Sequence, residues 1–180
     1  MRRPRLPWLL RELIEAHRLI RQPYYVEGFR RCGIPTDGGL IIGLAAVEID
    51  DHHYEPDPGG KAALIVPYFQ GNTLLDLVAV GLETFTCRTR TGIATVLGDE
   101  HIERARARES AVRLFKDPID WLRNARRGAC IVDWRAAPHV LADIPGISCG
   151  SEFLASRVDC AMRQPVAVPP IFIREPANAA

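Results

Sequence analysis

The sequence lacks the paired cysteines that mark disulfide-rich or zinc-binding proteins. It has five cysteines, an odd number, and no two of them form a CxxC pair. A disulfide framework or a zinc site would require cysteines paired at a characteristic spacing. We therefore interpret all five as reduced thiols in a reducing compartment, and we predict a cytoplasmic protein.

Long apolar segments are missing as well. No apolar run reaches the roughly 18 residues that a membrane span requires. The amino terminus opens like a signal peptide, but Arg11, Glu12 and Glu15 interrupt its apolar stretch too early. The sequence thus predicts a soluble chain that does not associate with a membrane.

Motifs of common catalytic and cofactor sites are also absent. The sequence contains no G-x-S-x-G nucleophile elbow. Its two glycine pairs, at residues 38–39 and 59–60, lack the preceding strand and following helix of a nucleotide fingerprint. We expect no cofactor, and the missing motifs argue against an enzyme without deciding the question.

The sequence contains enough apolar residues for a large core, since 47% of the 180 residues are hydrophobic. Two helices are predicted first, at residues 7–22 and 24–32, from their apolar spacing and from Gly33 as a stop.

A β-hairpin is predicted next, because the apolar residues 62–69 and 73–80 flank a short turn at Gly71-Asn72. Pro67 predicts that its strand lies at a sheet edge or carries a bulge, since proline has no N–H to donate. The hairpin belongs to an antiparallel meander whose other strands are residues 40–49 and 84–89, with residues 50–60 as a loop.

Residues 117–134 carry the best-defined local pattern of the chain. Asp117 is a good N-cap before a proline, and Gly128 is placed as the left-handed residue that ends the helix. The apolar residues 129–132 then predict a strand covered on both faces, which ends at Asp133.

Helices and strands alternate around this element, which favours a small parallel sheet with right-handed crossovers. The predicted helices are residues 99–115, 135–143 and 151–162, and the predicted strands are residues 147–149 and 166–173. The expected fold is α+β, with amino-terminal helices, a central antiparallel meander and a carboxyl-terminal α/β half. The halves, residues 1–97 and 98–180, are expected to pack as one compact unit.

Basic residues are concentrated near the amino terminus. Residues 1–31 hold eight arginines against three glutamates, whereas residues 37–57 hold six acidic residues and no lysine or arginine. This asymmetry fits a basic face for nucleic acid, or two segments that lie against each other. Arg88 and Arg90 share one face of an extended segment, which would contact phosphates or simply face solvent. The candidate nucleic-acid-binding residues are Arg2, Arg3, Arg5, Arg88 and Arg90.

Three residues are candidates for other chemistry. Asp133 is the one catalytic candidate, because ligands of open α/β sheets bind at the carboxyl ends of strands. Its alternative role is that of a helix cap or an arginine partner. Asp50 and His52 have the side chains of metal ligands, but no second ligand cluster follows at a recognisable spacing. A polar loop without a metal is therefore expected there.

One stretch of the sequence resembles a known family. Residues 62–67 (AALIVP), 73–79 (TLLDLVA) and 88–92 (RTRTG), followed by Leu97-Gly98, are similar to the segment that leads into the Toprim-type catalytic domain of phage and plasmid primases. The resemblance covers roughly residues 60 to 135 and implies a Toprim-like sheet after Asp117.

The Toprim family uses a glutamate after its first strand and a paired D-x-D motif to hold magnesium. Neither stands at a matching position here, because Trp134 and Arg135 follow Asp133. The resemblance therefore implies a relative without the catalytic carboxylates.

Three functional hypotheses follow. The first is a non-catalytic accessory protein that binds DNA or RNA in phage or mobile-element replication. The second is a small-molecule-binding protein or enzyme that uses the strand-end crevice at Asp133, which requires a deep pocket there. The third is a structural module that binds a protein partner, which requires a flat apolar patch.

Overall fold

The chain forms two β-sheets with helices packed around them in the computed structural model, which describes residues 7–35, 41–51 and 53–163. The helices within these ranges are α1 Pro7–Ile20, α2 Pro23–Arg31, α3 Asp99–Ala107, α4 Pro118–Arg123, α5 Ala137–Val140 and α6 Glu152–Met162. The strands are β1 Gly43–Ile49, β2 Tyr54–Pro56, β3 Lys61–Gln70, β4 Thr73–Gly81, β5 Cys87–Thr89, β6 Val96–Leu97, β7 Ala111–Phe115, β8 Ala129–Ile131 and β9 Gly146–Cys149. No helix of the described ranges is both long and apolar enough to cross a bilayer.

The first sheet has the strand order β2-β1-β3-β4-β5, and every neighbouring pair is antiparallel. The predicted hairpin is confirmed as β3 and β4, which are joined by a turn in which Gly71 takes a left-handed φ of 58°. The predicted loop after β1 is partly wrong, because Tyr54–Pro56 adds β2 to the sheet edge.

Pro67 shows why a proline is tolerated in a strand that has neighbours on both sides. The pairing of β1 with β3 ends at Gly43 opposite Ile65, so nothing on that side of the sheet needs an N–H from Pro67. A β-bulge follows directly, between Tyr68 and Phe69. Of the two predicted alternatives, the bulge is therefore confirmed, whereas the edge position is wrong, because β3 is the central strand of the first sheet.

Helix α1 lies across the first sheet through the predicted apolar stripe. Its residues Leu9, Leu13 and Ala16 are buried. A Cβ atom on Gly43 would lie 2.4 Å from the Cβ of Ala16, so only glycine allows the helix to approach β1 this closely.

The second sheet has the order β6-β8-β7-β9, in which β7 is parallel to both β8 and β9 while β6 is antiparallel to β8. This is the small, mostly parallel sheet expected for the carboxyl-terminal half. Together with the antiparallel first sheet and the helices, it confirms the α+β fold class.

The predicted helix over residues 99–115 is wrong in its second half. Helix α3 ends at Ala107, and residues 111–115 form β7, which lies inside the second sheet. Glu109 takes a left-handed φ of 48°, and the N–H of Ser110 bonds back to the carbonyl of Ala105. These features close the helix without a glycine, so the usual stop signal is missing from the sequence.

Helix α4 begins as predicted but ends early. The carboxylate of Asp117 accepts the N–H of Asp120 at 2.8 Å and caps the helix. The helix stops at Arg123, and the left-handed residues that follow are Ala125 and Arg126, with φ values of 52° and 60°. Gly128 has a positive φ but stands beyond this stop.

One of the three apolar clusters of the described residues spans both sheets. A single apolar cluster includes Leu64 and Val78 from the first sheet with Phe115 and Cys130 from the second. Strand β6, which precedes the predicted boundary at residue 98, belongs to the second sheet. The strand predicted at residues 166–173 lies outside the described residues.

Candidate ligand-binding cleft

A cleft of about 720 Å³ opens between the two sheets, beside β5 and at the carboxyl ends of β7 and β8. We call it the inter-sheet cleft. Its lining consists of Asp51 and His53, residues 85–89, Gly92 and Ala94, residues 116–118, residues 131–135, and Arg157 of α6. Six groups of residues therefore meet here, and of the predicted site residues the cleft brings together Arg88 and Asp133.

Two arginines of this lining, Arg88 and Arg157, form no ion pair with a carboxylate of the described residues, although the charge of Arg88 acts on Asp133. Arg88 donates from Nε to the carbonyl of Asp50 at 3.0 Å and from Nη1 to the carbonyl of Cys87 at 2.8 Å. Both arginines line the cleft, and the charges of both act to lower the pKa of the Cys87 thiol.

Arg157 is held by an aromatic ring. Its guanidinium carbon lies 4.0 Å from the ring centroid of Trp134, within the range of a cation–π interaction. Partial removal from water lowers the pKa of Arg157. An arginine nevertheless remains protonated at neutral pH. A partly desolvated charge without a counter-ion is a favourable partner for an anion.

Asp133 is occupied by an arginine of its own segment. Its Oδ1 lies 3.0 Å from Nε of Arg135 and its Oδ2 lies 3.3 Å from Nη2, which makes a bidentate pair. Burial acts to raise the pKa of Asp133, but the hydrogen bonds and charge of Arg135, with the charge of Arg88, lower it overall. A carboxylate held ionised in this way is a weak base, and Arg135 is the arginine partner considered from the sequence.

The thiols in and behind the cleft are not activated. Burial, with the charge of Asp117, raises the pKa of Cys87 to about 12, against the opposing charges of Arg88 and Arg157. Burial also raises the pKa of Cys130 well above its ordinary value. Both groups are neutral at physiological pH and are therefore poor nucleophiles.

The described residues contain no group of three or more His, Cys, Asp or Glu side chains that could hold a metal ion. Of the two candidate metal ligands, Asp50 accepts the backbone N–H of His53 through Oδ1, and His52 lies outside the described residues.

Arg90 is placed away from the cleft, in a cluster that attaches α1 to the first sheet. Its Nε lies 3.2 Å from Oε2 of Glu12, and its guanidinium carbon lies 5.1 Å from the ring centroid of Trp8. The hydroxyl of Tyr54 donates to the same Glu12 at 2.6 Å, and burial and this bond raise the pKa of Tyr54. The remaining candidates for nucleic-acid binding, Arg2, Arg3 and Arg5, lie outside the described residues.

Sequence reasoning missed Asp76, which shapes one wall of the cleft. This residue of β4 is fully buried. Its two carboxylate oxygens accept five backbone N–H groups at 2.8–3.1 Å, from Leu77, Arg90, Thr91, Ile93 and Ala94. Four of these donors belong to the connection between the two sheets. A charged residue inside the apolar run of residues 74–80 was the signal that could have found it.

Comparison of the chain with protein-family models, curated proteins and solved structures gives no significant match. The resemblance to Toprim-type proteins therefore stays a prediction.

Proposed function

We propose that this chain binds a small molecule that carries a phosphate or carboxylate group in the inter-sheet cleft. The observation that carries the proposal is the pair of guanidinium groups, Arg88 and Arg157, that face one cleft without a carboxylate partner among the described residues. Guanidinium groups bind planar or tetrahedral oxyanions through charge-assisted hydrogen bonds.

The position and size of the cleft support the same proposal. It lies beyond the carboxyl ends of the parallel strands β7 and β8, where ligands of α/β sheets commonly bind. Its volume of about 720 Å³ falls within the roughly 300–1,000 Å³ range of small-molecule sites.

Binding is favoured over catalysis because the reactive groups of the cleft are restrained. Cys87 is a neutral thiol, and Asp133 is paired with Arg135. The described residues of the lining offer no metal cluster either. The chemistry that remains is recognition of a negative charge.

Removing either guanidinium group should weaken anion binding. We expect Arg157→Gln and Arg88→Gln each to lower the affinity for pyrophosphate or citrate roughly tenfold or more, since a hydrogen bond to a charged group contributes about 1.5–3 kcal/mol. Isothermal titration at low salt measures this affinity. Arg163→Gln is the matched control, because Arg163 follows the same helix α6 and pairs with Asp159 outside the cleft.

The proposal fails if neither inorganic phosphate, pyrophosphate nor citrate binds saturably to the wild-type protein. It fails equally if Arg157→Gln and Arg163→Gln have the same affinity for whichever anion binds best.

Association with nucleic acid, in phage or mobile-element replication, remains a second proposal, and exposed arginines elsewhere favour it. Arg126 and Arg127 follow α4, are exposed, and form no ion pair with the described carboxylates. Phosphate contacts would make oligonucleotide binding fall steeply as salt is added. An absence of DNA and RNA binding at low salt contradicts this second proposal.

A further inference from the structure

An aromatic ring stands exposed in the inter-sheet cleft on a backbone conformation that phenylalanine rarely adopts. Phe85 is 55% exposed and has a left-handed φ of 55°. It lies in the turn between β4 and β5, which is closed by hydrogen bonds from the N–H of Phe85 to the carbonyl of Gly81 and from the N–H of Gly81 to the carbonyl of Thr86. Phe85 is one of the residues that line the cleft.

The turn between β4 and β5 accounts for a left-handed residue at this position, but not for the choice of phenylalanine. A left-handed conformation costs free energy for a residue with a bulky side chain. An exposed ring regains little of that cost, because most of its apolar surface stays in water. Strained residues of this kind concentrate at ligand sites. The turn therefore points to a role for the ring in holding a ligand.

The ring and the unpaired charges occur in the same cleft. Arg88 follows Phe85 by three residues, and Arg157 contributes the second guanidinium group from α6. A ligand that satisfies both features carries a planar ring at one end and an oxyanion at the other. Trp134 is engaged by Arg157, which leaves Phe85 as the exposed stacking surface.

We infer that the ligand of the inter-sheet cleft is a mononucleotide, with its base stacked on Phe85 and its phosphate bound by Arg88 and Arg157. Stacking on an aromatic side chain accepts any base, because every base has a planar face. The inference rests on the proposed anion-binding function and specifies the class of molecule.

A set of related compounds separates the two halves of the ligand. We expect adenosine 5′-monophosphate to bind roughly tenfold or more tightly than ribose 5-phosphate, which has the phosphate without the base. Isothermal titration gives both affinities, and quenching of tryptophan fluorescence provides a second readout because Trp134 lines the cleft.

The variant Phe85→Asn tests the stacking role without endangering the fold. Asparagine adopts the left-handed conformation more readily than phenylalanine, so the variant should melt at the same temperature as the wild type or higher. It should nevertheless bind adenosine 5′-monophosphate roughly tenfold more weakly, with its affinity for ribose 5-phosphate unchanged within twofold. Phe69→Leu is the control, since Phe69 is a partly exposed phenylalanine of β3 outside the cleft lining.

Four outcomes overturn the inference, and they are distinguishable. Equal affinities for adenosine 5′-monophosphate and ribose 5-phosphate, or an unchanged affinity in Phe85→Asn, remove the mononucleotide and leave the anion-binding function standing. An absence of binding by every phosphate compound removes both. A short single-stranded oligonucleotide that binds tenfold more tightly than the mononucleotide assigns the cleft to nucleic acid instead.

Discussion

Replacing Asp76 by alanine is expected to lower the free energy of unfolding by about 4 kcal/mol, a large part of the ~5–15 kcal/mol by which a domain is stable. The carboxylate is fully buried and accepts five backbone N–H groups. Alanine removes both carboxylate oxygens and leaves a cavity. The N–H of Arg90 keeps a second bond, to the carbonyl of Leu77 at 2.8 Å, but the other four donors must find water or remain unpaired. In thermal unfolding the loss corresponds to a drop of roughly 10 °C for a chain of this size.

The four donors in residues 90–94 explain why the effect is large. They belong to a connection rather than to a β-ladder. The N–H of Arg90 also bonds to the carbonyl of Leu77 in β4, but within the described residues no strand offers an acceptor to Thr91, Ile93 and Ala94 in place of Asp76. Asp76→Asn keeps the volume and one oxygen but turns an amino group towards the donors. We expect it to lose about 2 kcal/mol, between the alanine variant and the wild type.

Urea denaturation monitored by circular dichroism measures these differences. Asp159→Asn is the control, since Asp159 is an exposed aspartate that pairs with Arg163 of its own turn, and it should change stability by less than about 0.5 kcal/mol. A loss below about 1 kcal/mol for Asp76→Ala would contradict the structural role given to this carboxylate.

Gly98→Ala should destabilise the second sheet by about 3 kcal/mol. Gly98 has a φ of 79°, and a Cβ atom there would lie 2.2 Å from the carbonyl oxygen of Gly128. That same oxygen accepts the indole N–H of Trp121 at 2.8 Å. The methyl group would therefore have to displace a backbone that a buried tryptophan holds in place.

A second glycine separates the cost of the left-handed conformation from the cost of the steric clash. Gly71 also has a left-handed conformation, with a φ of 58°, but a Cβ atom there would meet nothing within 4 Å. Gly71→Ala should therefore lose only the conformational part, about 1 kcal/mol. If the two alanine variants were equally stable, the close approach of Gly98 to Gly128 would have no energetic consequence.

Local patterns in the sequence predict those elements whose cause is local. The hairpin follows from two apolar runs around Gly71, and the start of α4 follows from the cap at Asp117. Strand β7 could not be found in this way, because Glu109 closes α3 in a conformation that residue rarely adopts. Residues 111–115 consequently read as a continuation of the helix.

The cleft is less predictable than the fold because its residues are distant in sequence. Arg88 and Asp133 attract notice individually, through charge in a strand and a carboxylate at a strand end. Arg88 and Asp133 share a cleft with Phe85 and Arg157 because of the way the two sheets pack. The spacing of residues along the sequence does not predict that packing. The role of Asp76 is hard to predict for another reason. Its partners are backbone N–H groups, which every residue except proline has, so no particular residue type in the sequence indicates them.

The apolar cluster common to both sheets makes the two halves of the chain dependent on each other. If Phe115 and Cys130 were removed, the cluster that buries Leu64 and Val78 would be incomplete. Removing Leu64 and Val78 would have the same effect on Phe115 and Cys130. Unfolding should accordingly proceed as a single cooperative transition. Cleavage of the connection at residues 90–94 should therefore give two fragments, each with an exposed apolar face. Each fragment should fold and stay in solution only when the other is present to cover that face.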